Sequence, residues 1–317
     1  MNILIAYKHK IPVEKYGGTQ RIIWWLGKAL VNLGHKVTYL VKKGSHCPFA
    51  DVIPFDMKKP LKAQIPEYID LVHFHYKVNA PNIDIPFVAT IHGNAGPGSI
   101  FHENSIFLSH RHASNHNSDV YVYNGIDTED YGNVLLDNKR EHLLFLGKIS
   151  RKSKNLKGCI KIAQKANMKL AIVGGHGLSF DRRIQYKGYL GGEKKKRVIQ
   201  QSLALLFPIL WEEPFGLAII ESLYFGSPVL GTPYGSLPEL IHSEVGFLSN
   251  RVAELVKVLK NLDQFDRKKC HEYVCDSFSA TVMAQNYVKL YERVGSGEKL
   301  HSKKPVKRDI RVAYEMK

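Results

Sequence analysis

Short apolar runs alternate with stretches of helical spacing along most of the 317 residues. Ile3–Ala6 predicts a buried strand, followed by a polar loop containing Lys15-Tyr16-Gly17-Gly18-Thr19. Ile22, Leu26, Ala29, Leu30 and Leu33 then recur at helical spacing, predicting a helix over Thr19–Leu33 with Gly34 as its stop. Lys36–Val41, Asp70–Phe74, Phe87–Ile91, Ile106–Leu108 and Val120–Tyr123 read as further strands. A second run opens with a strand at His142–Leu146, a helix at Leu156–Ala166 and a strand at Lys169–Val173. It continues with a basic helix at Glu193–Gln200, a strand at Leu203–Phe207 and an amphipathic helix at Val252–Leu262. Ala284, Tyr287, Val288 and Tyr291 line one stripe of a last helix over Ser279–Arg293. Strand–helix–strand alternation implies a parallel, doubly wound α/β sheet, here twice over.

Between the two runs the apolar pattern lapses over Asn124–Arg140, which reads as the linker. The expected organisation is therefore one domain over 1–132 and a second over 133–294. The last helix, about 279–294, is a candidate to pack back on the first domain, and a basic tail, 295–317, is expected to be flexible.

Composition narrows the class. An apolar share of 44% with 10% aromatics is that of a folded globular chain, and the length suits two domains that each bury a core. The apolar runs are too short to cross a bilayer. The first residues enter a strand pattern at once, without the features of a signal peptide. Cys47, Cys159, Cys270 and Cys275 form no metal-ligand spacing and read as free thiols of a reducing compartment. The expected location is cytoplasmic, with peripheral contact at the inner membrane surface as the variant.

Charge is concentrated. From Lys139 to Arg197 there are 17 Lys or Arg against three acidic residues, so this stretch carries +14 of the formal +16. A phosphorylated ligand, an anionic membrane surface and nucleic acid would each fit such a field. The chain has no recognisable nucleic-acid motif, and its basic residues are not interleaved with aromatics, so no nucleic-acid partner is expected.

The densest chemistry lies in Trp211-Glu212-Glu213-Pro214-Phe215-Gly216-Leu217, continuing through Glu221 to Leu223. Glu213 and Glu221 stand eight positions apart across a turn that follows a buried strand, and open α/β sheets bind ligands beyond strand carboxyl ends. The backbone N–H groups of Phe215, Gly216 and Leu217 open a helix and suit an anion or a sugar hydroxyl. Gly17-Gly18 opens the first helix and can admit a phosphate, although such a pair alone is more often a plain turn. His92 also follows a predicted strand. Asn124-Gly125 reads as a turn, and Gly174-Gly175-His176-Gly177 lacks the spacing of a dinucleotide fingerprint.

Together with Phe225–Leu240, this block resembles the nucleotide-sugar signature of retaining glycosyltransferases of family 4 (glycosyl transferases group 1), with its Glu–seven residues–Glu spacing. Tyr16–Arg21, Leu30–Val37, Thr90–Gly93, Tyr123–Asp127 and Leu146–Ser150 resemble further segments of that family. The resemblance implies the GT-B fold, two Rossmann-like doubly wound domains facing a central cleft. It implies that Glu213 touches the donor sugar and Glu221 the ribose, that His92 contacts the hexose, and that Gly17, Gly18, Phe215, Gly216 and Leu217 line the donor. Lys148 and Lys154 are the implied diphosphate clamp. Lys148 stands where the family usually has Arg, and the following loop is one residue longer, so Arg151 and Lys152 compete with Lys154 for the second contact. No Asp-x-Asp motif is present, and metal-independent transfer without a cofactor is expected. The implied activity is retaining transfer of a hexose from a nucleotide-diphosphate sugar to an acceptor hydroxyl, in surface glycan or glycolipid biosynthesis. A sugar-nucleotide epimerase or phosphorylase of the same fold is the alternative, and a nucleic-acid-binding protein the remoter one. The acceptor, lipid-linked or glycan, is expected to meet loops near Lys8–Tyr16 and Gly93–Phe101. Neutralising Lys194, Lys195 and Lys196 together is expected to leave turnover on a soluble acceptor intact and to matter only for a membrane-borne one.

Overall fold

The computed structural model describes residues 1–13, 17–310 and 312–317. Lys15 and Tyr16 of the first glycine loop lie outside the described residues. Internal contacts divide the chain into two units. Residues 1–13, 17–127 and 279–310 form the first; residues 128–278 and 312–317 form the second.

In the first unit, strands β1 (Asn2–Tyr7), β2 (Lys36–Val41), β3 (Asp51–Pro54), β4 (Leu71–Phe74), β5 (Phe87–Thr90) and β6 (Ser105–Ile106) form a parallel sheet of order β3-β2-β1-β4-β5-β6. Helix α1 (Gly18–Asn32) follows β1 and buries Ile22, Ile23, Leu26, Ala29 and Leu30. α2 (His110–Ser114) is a single turn capped by Ser109, whose side chain accepts from His112 N. The strands are buried along most of their length because helices cover both faces of a parallel sheet.

The second unit repeats this plan. After the short α3 (Thr128–Tyr131) come β7 (His142–Leu146), α4 (Leu156–Lys165), β8 (Leu170–Val173), β9 (Ile184–Gly188), α5 (Gly192–Gln200) and β10 (Ser202–Phe207). Then follow α6 (Leu217–Tyr224), β11 (Val229–Gly231), α7 (Leu237–Leu240), β12 (Gly246–Leu248), α8 (Val252–Leu259) and α9 (Arg267–Ser277). The sheet order is β12-β11-β10-β7-β8-β9, again all parallel. Its core packs Leu143, Phe145, Cys159, Ile162, Ile172, Leu206 and Leu230 together. The last helix, α10 (Ala280–Gly295), belongs to the first unit, where it packs on α1 and β5.

Both sheets reverse their winding once, between β1 and β4 and between β7 and β10. The carboxyl ends beside these reversals are where an open α/β sheet takes a ligand.

Three expectations need correction. Val120–Tyr123 is not a strand of the sheet; Tyr121 forms only an isolated bridge with Phe107. The predicted linker ends in a buried residue, Arg140, whose guanidinium donates to Ser202 O, Ser227 Oγ and Phe225 O. That arginine ties the start of β10 to the α6–β11 turn. The tail is not a free segment among the described residues. Phe101 N donates to Pro305 O, Lys307 N to Ser99 O and Arg308 N to Asn115 O, so the tail answers backbone groups that loop 96–101 and the end of α2 would otherwise leave open. In the second unit, Lys317 exchanges backbone bonds with Asn250 and Val252.

Candidate functional site

The carboxyl ends of β7 and β10 deliver the predicted cations and carboxylates of the second unit. Lys148 leaves β7 two residues past its end and is exposed. Three residues of 3-10 helix, Lys152–Lys154, then turn the chain back before α4. Lys154 is directed inward: its Nζ donates to Glu213 Oε2, and the side chains are only 14% and 9% exposed. The ammonium also lies 4.7 Å from the Phe207 ring centroid and 5.3 Å from that of Trp211. Trp211 Nε1 donates to the same Oε2 at 2.9 Å. Of the three candidates for the second cation, Arg151 and Lys152 are exposed and Lys154 alone reaches Glu213.

The Glu213 turn is held from behind. Ser236 N donates to Glu213 O at 3.0 Å and Ser236 Oγ to Phe215 O at 2.6 Å. Gly235 packs so closely that a Cβ there would lie 2.2 Å from Glu213 N. The Phe215 ring is buried against Phe278, so it can offer a ligand only its backbone. Gly216 caps α6 in the left-handed region (φ 94°), with Leu217 opening the helix. Neighbouring Glu212 turns elsewhere, accepting from Tyr314 Oη at 3.2 Å.

Glu221, one helical turn from the end of α6, is 2% exposed. Its Oε1 accepts from Lys195 Nζ at 2.6 Å and from Tyr131 Oη. Lys195 is therefore built into the interior, and Lys196 is bonded to Glu193 at 2.8 Å. Neutralising Lys194, Lys195 and Lys196 together would also break a buried pair, because the register of α5 turns its middle lysine onto α6.

The predicted residues of the first unit are Gly17 and Gly18, at the N-terminus of α1, and His92, two residues past β5. His92 Nε2 pairs with His75 Nδ1 at 2.8 Å, and the two rings stack 5.1 Å apart. Behind them His73 bonds Tyr291 Oη (2.8 Å) and Thr90 Oγ1 (2.7 Å), and Thr90 Oγ1 bonds Tyr287 Oη (3.0 Å). Burial pushes His92 down to about 4 and holds His73 and His75 well below the usual histidine range. All three are neutral at pH 7, and a neutral imidazole donates at one nitrogen and accepts at the other. The His75–His92 bond thus couples the two tautomers. His75 Nε2 is buried with no partner among the described residues.

Sequence reasoning missed Lys195, Tyr131, His73, His75, Tyr287 and Tyr291 as polar partners. The two tyrosines were visible only as an apolar stripe. His73 and His75 did carry a signal, an alternating His-Phe-His at a strand end. Among the described residues no three His, Cys, Asp or Glu side chains gather as a metal site would require. No described helix is long and apolar enough to cross a membrane.

Comparison with known proteins adds to this geometry. Residues 127–274 match the family model described as glycosyl transferases group 1, a span that takes in the whole second sheet. An uncharacterized 41.2 kDa protein in the cps region of Klebsiella pneumoniae is 25% identical over 165 residues, 48% of this chain and 46% of the relative. An uncharacterized glycosyltransferase of Methanocaldococcus jannaschii is 23% identical over 152 residues, 39% of this chain and 38% of the relative. The chain thus spans less than half the length of these curated relatives. Among solved structures, AviGT4, a glycosyltransferase involved in avilamycin A biosynthesis, matches with a TM-score of 0.78 at 20% identity, over 93% of this chain and 98% of that one. Anabaena HepE in complex with UDP-glucose matches with a TM-score of 0.64 at 15% identity, over 93% and 100%. The fold is GT-B, and residues 127–274 are similar to the glycosyl transferases group 1 family.

Proposed function

We propose that this chain is a retaining glycosyltransferase that moves a hexose from a nucleotide-diphosphate sugar to an acceptor hydroxyl, in surface glycan or glycolipid assembly. The observation that carries the reading is the buried Lys154–Glu213 pair beside the reversal of the second sheet. It sets a cation and a carboxylate side by side where a diphosphate and a sugar must both be held. The match of residues 127–274 supports the same reading.

In this mechanism the bond from sugar C1 to the β-phosphate oxygen breaks, and its electron pair goes to that oxygen. Lys148 and Lys154 meet the charge that develops there, and cations fixed in advance lower the barrier most. Lys154 is then shared between the diphosphate and Glu213. Glu213 accepts from sugar hydroxyls and Glu221 from the ribose, each fixing an orientation. The acceptor oxygen attacks C1 on the face the phosphate leaves, and its proton passes to the departing phosphate. In the first unit, neutral His92 exchanges a hydrogen bond with a hexose hydroxyl, and Gly17-Gly18 give a phosphate access to bare backbone. The lysines supply the positive charge, so the reaction runs without a metal or other cofactor.

Product analysis with labelled nucleotide sugars tests this reading. Transfer yields free nucleoside diphosphate and a glycoside of unchanged anomeric configuration, in the presence of a chelator. An isomeric sugar nucleotide would identify an epimerase and refute the proposal. A thermal-shift screen selects the donor, since a ligand at 100 times its Kd stabilises by about 2.7 kcal/mol.

A further inference from the structure

The loop after β8 carries the two most exposed large apolar side chains of the described residues, Leu178 (100% exposed) and Phe180 (109%). The loop is not slack. Asp181 accepts from Arg183 N at 3.0 Å and Nε at 2.9 Å through Oδ1, and from Arg183 Nη2 (2.9 Å) and Gln164 Nε2 (3.1 Å) through Oδ2. Ser179 Oγ accepts from Asp181 N, and His176 rests against the Tyr189 ring. The base of the loop is fixed while its tip presents Leu178 and Phe180 to solvent.

The bond from Gln164 also places this tip beside the outer face of α4. Lys157, Lys161 and Lys165 are exposed and recur at four-residue spacing on that face, which includes Gln164. Arg182, also exposed, adjoins the tip. Asp181 is the only carboxylate in the sequence between Glu141 and Glu193, and Arg183 neutralises it. An apolar tip beside a row of exposed cations, in a stretch whose one carboxylate is paired, matches the boundary of an anionic bilayer, with acyl chains inside and phosphates outside.

We propose that the second unit docks on an anionic lipid bilayer through this surface. Leu178 and Phe180 enter the headgroup–acyl boundary, and Lys157, Lys161, Lys165 and Arg182 meet the headgroup phosphates. This is a different surface from the α5 lysines. The inference stands apart from the proposed reaction, since vesicle binding needs neither donor nor acceptor.

Co-sedimentation of the full chain with vesicles of phosphatidylcholine alone, or mixed with phosphatidylglycerol, tests it. Wild type should bind the mixed vesicles, more weakly as salt rises, and bind the neutral ones poorly. Leu178→Ser with Phe180→Ser should weaken binding roughly tenfold or more, as should Lys157→Glu with Lys161→Glu and Lys165→Glu. Lys299→Glu with Lys303→Glu and Lys304→Glu, an equal charge change on the tail, should alter it little. Phe180→Trp should be quenched by brominated acyl chains. The proposal is overturned if wild type binds neither vesicle, or if the tail variant loses as much as the α4 variant. It is equally overturned if the serine variant binds like wild type, or changes only self-association, which would make the occupant a second copy. Quenching of Phe180→Trp by a nucleoside diphosphate, with no response to vesicles, would mark a base platform and also overturn it.

Discussion

The two units share one strand order and both gather polar groups at strand ends beside the reversal, yet they use opposite chemistry there. In the first, the groups at the ends of β4 and β5 are neutral imidazoles, a threonine and two tyrosines. In the second, Lys154 after β7 bonds Glu213 after β10, and Lys195 on α5 bonds Glu221 on α6. A neutral network exchanges donor and acceptor at little electrostatic cost and suits hydroxyls. An array of cations suits phosphate. The scaffold fixes where polar groups emerge, and the side chains fix what they can hold.

Removing one member of a buried ion pair should have the largest effect. Glu221→Ala removes the carboxylate bonded to the buried Lys195, and is expected to cost about 3–5 kcal/mol of stability. Adding Lys195→Met should restore much of it, as urea unfolding of the two single variants and the double would show. Additive losses would mean that the pair is not coupled.

Next in size is the pair at Glu213. Lys154→Ala and Glu213→Ala should each lower turnover roughly 10²-fold or more, with Glu213→Ala still binding nucleoside diphosphate. Lys152→Ala, an exposed neighbour in the same basic stretch, should leave turnover close to wild type. Equal and mild effects at Lys152 and Lys154 would reduce the clamp to a diffuse surface field.

The third test is acid. The first unit's His73, His75, His92, His112 and His116 are held below their unfolded value of about 6.5 by burial, His92 and His116 down to about 4. Below pH 6.5 the unfolded chain binds protons that the native network refuses. Stability is therefore complete above that pH and is lost progressively as pH falls towards 4. Hydrogen exchange should show β4 and β5 opening before β7 and β10 across this window. Simultaneous opening would contradict the contrast between the units.

The smallest effect is expected at His75. Asparagine places a donor and an acceptor near the position of Nδ1, so His75→Asn should keep the bond to His92 and hold turnover within about threefold. His75→Leu removes that bond and should cost about 1–3 kcal/mol. If both variants behaved alike, the bond would have no role in positioning His92.

The strands flanking each reversal were legible because a doubly covered parallel strand is apolar on both faces, as in Leu203–Phe207 and His142–Leu146. Short outer strands such as Gly246–Leu248 carry too few residues to show a period. The Glu213 turn was legible from its glycine and its spacing. Lys195 was not, because a buried lysine inside a run of three looks like its solvated neighbours until α5 is laid on α6. Arg140 was hidden the same way: its partners lie on segments far along the chain, and no local pattern marks a cation that will be enclosed.

The route of the chain through the first unit also bears on the order in which it can fold during synthesis. That unit is interrupted after Asp127 and resumes at Ser279, whereas 128–278 emerges without a break. Tyr287 and Tyr291, which close the network around His73 and Thr90, leave the ribosome only after the entire second sheet. A chain made from its N-terminus therefore has the later-encoded sheet ready to form while the earlier one still waits for α10.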